Sequence, residues 1–247
     1  MSDRFHDSAG VPWEGRAFQE NPWANDDGET PVELALALAD KPVHKASLFS
    51  AMSKSRLLIP LVASLGEAGE GAHGQVVDKS ADLAIVAVET PDKQTAIPVF
   101  SSVADMHAWN SEARPVPVDA ARVALAAAAE GHSRVVLNPA THPVAIRRPA
   151  LAAMAQGLTW VPPHEDPWVR SWLAQVAGGF SQITAVDLFD GDVNSDLAHA
   201  ELLIQIALKL LSADEVKQLL TDFTDALRSE EFQQRVDSIG YRLVVAK

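Results

Sequence analysis

The chain has 247 residues, 47% of them apolar, with 33 acidic against 20 basic side chains, a net charge of −13 and no cysteine. A chain of this length buries roughly 70–75% of the surface its unfolded form exposes, which excludes wholesale disorder, and the missing thiols exclude disulfides, cysteine nucleophiles and thiolate-held metal centres. The charge argues against sequence-independent binding of nucleic acid, whose affinity comes from basic groups displacing phosphate counterions, and against an anionic membrane surface.

The acidity is uneven. Residues 1–40 carry 2 basic and 9 acidic groups, residues 41–170 carry 12 of each, and residues 171–247 carry 6 and 12. No run approaches the ~20 apolar residues needed to cross a bilayer. Residues 1–10 have two acids and no apolar stretch, unlike a secretory signal, so a cytoplasmic protein is expected.

In chain order, residues 1–31 are rich in Gly, Pro, Asn and Asp yet contain Phe5, Trp13, Phe18 and Trp23. Disordered segments are poor in aromatics, so this reads as an irregular acidic arm anchored by one or two rings, with a solvated tail as the alternative. Thr30 as N-cap, Pro31 in the first turn and Pro42 past the end frame a short helix at 32–39. Apolar runs at 56–64 and 83–88 suit buried strands. Pro60 in the first and Pro98 in the run 95–100 each remove a ladder donor, which predicts an edge position or a bulge.

Gly66, Gly69, Gly71 and Gly74 lack the Lys-Ser/Thr of a phosphate loop and read as a hairpin tip. Ser102 and Asp105 resemble a capping box opening a helix with Met106 and Trp109. Asp119 caps an alanine-rich helix that ends at Gly131. Strands follow at 134–137 and 143–146, and Pro149 opens a helix to about residue 156. Alternating strands and helices point to an α/β (α+β) layer structure. Residues 161–179 read as a linker or junction, with Trp160, Trp168 and Trp172 packing it.

The C-terminal pattern is β-β-α-α-β. Residues 183–188 form a strand, and residues 201–210 alternate with Leu202, Ile204, Ile206, Leu208 and Leu210 on one face. Ser212 with Glu215 is a capping box before a stripe of Val216, Leu219, Leu220, Phe223 and Leu227. Ser229 starts a shorter helix, and Ile239, Tyr241, Leu243 and Val245 alternate in a closing strand. A small antiparallel sheet covered on one face by helices is expected. The predicted organisation is an arm at 1–31, a mixed-sheet domain at 32–160, a junction at 161–179 and a smaller domain at 180–247.

Four patterns suggest chemistry. Gly131-His132-Ser133 resembles the start of a nucleophile elbow, but Val135 replaces the second glycine and the order is helix-to-strand, so an ordinary turn is expected. Asp190, Asp192, Asn194, Asp196 and Glu201 match ligand positions of an EF-hand calcium loop. Ser195 stands where the sharp turn needs glycine, and the following segment alternates with period two, so a polar loop is the simpler reading. His164-Glu165-Asp166 reads as a solvated turn. Arg114, Arg147 and Arg148 could grip an anion with forked hydrogen bonds, Arg148 beside a helix N-terminus, against the alternative of surface salt bridges.

The segment Pro98-Val99-Phe100-Ser101-Ser102, with Met106, Trp109 and Ala113-Arg114-Pro115-Val116-Pro117, resembles the SseB, or enhanced serine sensitivity, family. Asp26-Asp27-Gly28, Arg56-Leu57-Leu58-Ile59-Pro60, Arg148-Pro149-Ala150, Trp160-Val161-Pro162 and Arg235-Val236-Asp237-Ser238 extend the resemblance over nearly the whole chain, most closely to the two-domain actinobacterial form. The resemblance implies two α/β domains and supplies no catalytic residues to carry over. The resulting expectation is a non-enzymatic regulatory or protein-interaction module with an unknown protein partner, no cofactor, no nucleic acid and no membrane. The alternative is a binder of a small anionic metabolite of amino-acid (serine) metabolism at Phe100, Trp109, Arg114, Arg147 and Arg148. An undetected hydrolase stands third.

Overall fold

The computed structural model describes residues 22–40, 43–63 and 83–246; Phe5, Trp13, Phe18, Pro42 and the glycine-rich stretch 66–74 lie outside the described residues. The N-terminal domain opens with α1 (Val32–Ala39) and α2 (Lys45–Lys54). Thr30 does not cap α1: its hydroxyl bonds the Ser101 hydroxyl at 2.9 Å, and Pro31 holds the cap position without a side-chain bond. Helix α2 carries no Ser, Thr, Asp or Asn at its start, which hid it from a sequence reading. Its cap is the His44 ring, accepting from the Ser47 N–H at 3.4 Å.

Strands β1 (Arg56–Ala63), β2 (Leu83–Ile85), β3 (Val88–Glu89) and β4 (Thr95–Val99) precede α3 (Val103–Trp109), and the single strand expected at 83–88 is thus two short ones. Then come β5 (Arg114–Asp119), α4 (Ala120–Ala129), β6 (Arg134–Leu137), β7 (Val144–Arg147) and α5 (Arg148–Ala155). They build two sheets, ordered β2-β1-β5 and β3-β4-β6-β7, joined by reciprocal 2.9 Å backbone bonds between Leu58 and Phe100. Because the Leu58 N–H points to Phe100, the pairs Leu58/Pro117 and Pro60/Pro115 are the kind whose N–H groups face away from each other.

This corrects the expectation for Pro60, whose strand is central in its sheet. The missing donor falls on a flank where β2 pairs only Leu61 to Ala63. Pro115 and Pro117 remove donors from the outer rim of edge strand β5, which discourages further strand pairing. The same prolines concealed β5 in the sequence.

Helices α1, α2, α4 and α5 cover the sheets with Leu34, Phe49, Met52, Val123, Leu151 and Met154, while α3 seals the opposite side over Leu58 and Phe100.

The C-terminal domain comprises α6 (Pro167–Ala177), β8 (Ile183–Asp190), β9 (Leu202–Leu208), α7 (Ala213–Leu227), α8 (Glu230–Arg235) and β10 (Ile239–Val245). Its sheet order is β10-β9-β8, with β8 antiparallel and β10 parallel to β9. The expected antiparallel sheet is therefore mixed. The helical crossover through α7 and α8 returns the chain in its original direction, which a hairpin cannot do. Leu202, Ile204, Ile206 and Leu208 all face the helices, and the Ser212–Glu215 capping box is complete.

Segment 161–179 is more than a junction. It contains α6, whose Val169, Leu173 and Ala177 belong to the second core. The three tryptophans also divide: Trp160 packs on Phe49 in the first core, while Trp168 and Trp172 stack at 5.9 Å against the second. No helix among the described residues is long and apolar enough to cross a membrane.

Candidate functional site

The two apolar cores are separate, and the surface between the domains is chiefly ionic, with the buried Leu197 as an apolar contact near Val136 and Pro143. Its basic half comes from the N-terminal domain. Antiparallel pairing of β6 with β7 sets Arg134 directly opposite Arg147, so both guanidiniums leave the sheet at one end. Its acidic half comes from the loop between β8 and β9 and from the turn between α8 and β10.

Arg147 Nη2 donates to Asp192 Oδ2 at 2.6 Å and to the His199 carbonyl at 2.7 Å, and its Nη1 donates to Asp237 Oδ2 at 3.2 Å and to the Ser238 hydroxyl at 3.1 Å. Arg134 holds both Asp237 oxygens at 2.9 and 2.8 Å, with its Nε on Asp92 at 2.9 Å. Lys45, in the first turn of α2, meets Asp190 at 2.5 Å. Arg148 Nη2 donates to the Gln233 carbonyl at 2.6 Å. One backbone bond adds to these, from the Ala145 N–H on the outer edge of β7 to the Ser195 carbonyl at 2.7 Å.

The loop that reaches across is internally knitted. Asp192, 1% exposed, accepts from the N–H groups of Asp196 at 3.2 Å and Leu197 at 3.1 Å while it binds Arg147. Ser195 and Leu197 sit at φ 53° and 64°, a region a leucine seldom occupies unless its surroundings impose it. At the loop's start, a Cβ on Gly191 would stand 2.2 Å from the Ala200 carbonyl oxygen. Gly191→Ala is expected to cost about 2 kcal/mol or more, because backbone and not a flexible side chain must yield. A denaturant midpoint lowered at constant slope is the corresponding measurement.

Glu201, 4% exposed at the foot of β9, is the least ordinary group at the seam. Its Oε2 accepts from the Asp237 N–H at 2.7 Å, and its own N–H donates to the Ser238 hydroxyl at 3.0 Å. Burial pushes its carboxyl up to about 7; the neighbouring Asp237 carboxylate adds to the rise, and the Asp237 N–H, Arg147 and Lys45 oppose it. A cavity of about 30 Å³ beside it is lined by Lys45, Arg147, Trp160, Asp192, Ser195 and Glu201. The buried Trp160 Nε1 has no protein partner. Burial opposes the charge on Arg147, yet Asp192, Glu201 and Asp237 together hold its proton more tightly than a free arginine holds it.

Two sequence-derived candidate sets thus meet as halves of one structure. Among the anion-binding candidates Arg147 is occupied by carboxylates and Arg148 by a carbonyl. Among the calcium-loop residues Asp190 and Asp192 are spent on Lys45, Arg147 and backbone amides, and Asp196 accepts from Ala198 at 2.9 Å. No group of three or more His, Cys, Asp or Glu that could hold a metal occurs among the described residues. Phe100 and Trp109 do meet, with centroids 5.5 Å apart, but within a small apolar cluster under α3. Arg114 is exposed on β5, in a different place from Arg147 and Arg148.

The remaining motifs settle into the framework. Ser133 bonds Gln94 at 2.8 Å in a helix-to-strand turn, as its surroundings predict. Asp166 caps α6 through the Trp168 N–H at 2.8 Å and pairs with Arg235 at 2.9 Å. Burial lowers the pKa of the neighbouring His164, against the carboxylates of Asp190 and Glu165.

Sequence reasoning passed over Arg134, Lys45, Asp237 and Ser238. Asp237 and Ser238 stood in one of the family-like motifs, which was the available signal. Trp160 and Arg148, from two further motifs, also lie at the seam. Asp26 and Arg56 form a second lock, buried on the arginine side: Arg56 grips both Asp26 oxygens, the Ser101 carbonyl at 2.6 Å and the Glu29 carbonyl at 2.9 Å.

Fold and seam together describe an α/β protein with two apolar cores joined across buried ion pairs. Residues 32–153 match the family described as SseB protein N-terminal domain, and the chain belongs to the SseB family. No curated protein and no solved structure matches it. The matched segment contains Lys45, Arg134 and Arg147, whereas Asp190, Asp192, Glu201 and Asp237 lie beyond it.

Proposed function

We propose that the chain is a non-enzymatic protein-interaction module whose contact surface is the outer face of the C-terminal sheet. Strand alternation sends Leu202, Ile204, Ile206 and Leu208 to the helices and leaves Phe189, Leu203, Ala207 and Val244 on the other side. Phe189 is 40% and Val244 37% exposed, with the Arg242 guanidinium 4.5 Å over the Phe189 ring. This open face, with apolar residues on either side of the polar row Asp187, Gln205 and Arg242, is the observation that supports the reading. Open sheet faces are ordinarily polar, and an aromatic, an arginine and aliphatics grouped in solvent is the composition of protein contact surfaces. The partner it suits is a protein with an apolar patch of similar extent and an acidic group to meet Arg242.

The test compares co-purification on wild type, Phe189→Asp and Val244→Asp, with Leu36→Asp on α1 as a control at an exposed apolar residue of the other domain. A partner retained by wild type and Leu36→Asp and lost by the other two is expected. Identical captures by all four, or a wild type that purifies alone at native concentration, would sink the reading.

The metabolite alternative has a place, a cleft of about 520 Å³ lined by Arg134, Arg147, Arg148 and His199. Arg134 and Arg147 reach it already paired with Asp92, Asp192 and Asp237, and Arg148 has one arm on the Gln233 carbonyl. The interaction reading is favoured on that ground.

A further inference from the structure

We propose that the loop between β8 and β9 is a releasable clasp, which docks the two domains when Glu201 is protonated and loosens them when it ionises. Three independent observations carry this, and none depends on the outer sheet face.

The first is the nature of the seam. The two large apolar clusters stay within their own domains, and the junction is made by Arg134, Arg147 and Lys45 against Asp192, Asp237 and Asp190, with Leu197 of the loop, 3% exposed, as its chief apolar contact beside Val136 and Pro143. Such contacts bring little hydrophobic stabilisation, and burying their charges has a desolvation cost that offsets much of their attraction. A junction of this kind is sensitive to the gain or loss of one buried charge.

The second is the loop itself. Two non-glycine residues at positive φ, 53° and 64°, store backbone strain that Asp192 holds in place through Arg147 and the two amides it caps. Across the seam the loop covers an edge of β7 with a single backbone bond, Ala145 to Ser195.

The third is the placement of Glu201. Facing it are Lys45 from α2, Arg147 from β7, Asp192 from the clasp and Asp237 from the α8–β10 turn. Beyond Lys45 lie Asp190 and His164; beyond Asp237 lies Arg134; His199 contributes its carbonyl to Arg147. Two nearby cations are already matched by Asp190, Asp192 and Asp237, so an ionised Glu201 is a surplus buried negative charge. Its carboxyl titrates at about 7 docked, against an ordinary value of 4.5 once water reaches it.

The sign follows from proton counting. Between pH 4.5 and 7 the docked form binds the proton and the undocked form does not, so docking is progressively lost as pH rises, until the carboxyl is ionised in both forms. The two values give an undocking equilibrium about tenfold larger at pH 8 than at pH 6.

Hydrogen exchange of the Ala145 amide, expressed as a protection factor so that intrinsic pH dependence cancels, measures the opening. In the wild-type full chain, protection at Ala145 is expected to fall about tenfold from pH 6 to pH 8 while amides inside the two cores hold steady. Glu201→Gln should keep the pH 6 value at both pH values, and Asp192→Asn should lose protection at both. A pH-independent wild type, or the same pH response in Glu201→Gln, overturns the proposal. Should Glu201→Gln fail to fold, carbon-detected titration of the wild-type carboxyl decides: a midpoint near 7 supports the clasp, and one near 4.5 removes it.

Discussion

Replacing Arg147 with methionine is expected to destabilise the chain by about 3–5 kcal/mol, the range for removing one partner of a buried ion pair. The loss does not come from Coulomb attraction alone. Asp192 at 1% exposure would keep its charge with no guanidinium beside it, Asp237 would be left with Arg134 alone, and the His199 carbonyl would lose its donor. Methionine roughly preserves the packing of the arginine stem, so the measured change reports the lost head group. Asp192→Asn in the same background should recover part of the loss, since it removes the surplus charge while its one amide oxygen still accepts from either the Asp196 or the Leu197 N–H, which bond different oxygens of Asp192. Equilibrium denaturation of the two single variants and the double variant gives the coupling. A cost for Arg147→Met below about 1 kcal/mol would show that the seam does not depend on this pair.

Arg56→Met is expected to cost about 2–4 kcal/mol, since it opens the second lock. Arg56 is 5% exposed, and its removal leaves the Ser101 and Glu29 carbonyls without their donor and Asp26 without its partner. Asp26 keeps contact with water and can rehydrate, which places the effect below that of Arg147. The hydrogen bond from Arg56 holds the Asp26 carboxyl below its ordinary 3.8; burial works against this, and the Gly28 N–H and the charge of Arg56 add to it. A depressed carboxyl contributes stability that is present above pH 3.8 and lost as pH falls through the lower folded value. The wild type's advantage over Arg56→Met should therefore be full at pH 7 and shrink below about pH 4. A gap between the two that stays constant down to pH 2 would count against the assignment.

These locks change the meaning of the family-like motifs. Arg56 with Asp26, Arg148 with Gln233, and Asp237 and Ser238 with Arg134 and Arg147 are contacts that set where segments and domains sit. Their chemistry matches that of a binding site, forked guanidiniums facing carboxylates and carbonyls, but the ligand is the chain itself. Arg147 and the acidic loop each suggested an external ligand, and the structure brings them to one another.

Much of the fold was legible because it rests on local physics. Ser102, Ser212 and Ser229 each accept from the N–H three residues on, as capping requires. Leu219, Phe223 and Leu227 follow helical spacing, and the alternation of β9 maps directly onto burial. Each of these signals is complete within a few residues. Helix α2 and strand β5 were not legible, because one lacks a standard cap and the other carries two prolines that only an edge position tolerates.

The sequence alone determined the α/β class, the acidic ends around a neutral middle, the order of the last five elements but not the α6 that precedes them, and a family resemblance spread over both domains. Tertiary structure alone decided the parallel pairing of β10, the division of the tryptophans between two cores, and the pairing of charges. Arg147 and Asp192 are 45 positions apart, and Arg134 and Asp237 are 103 apart. Periodicity records which face of an element is buried, over distances of one or two turns. A charged side chain has the same pattern in sequence whether it ends in water or against a distant partner, so its role is fixed only when the chain brings that partner within 3 Å of it.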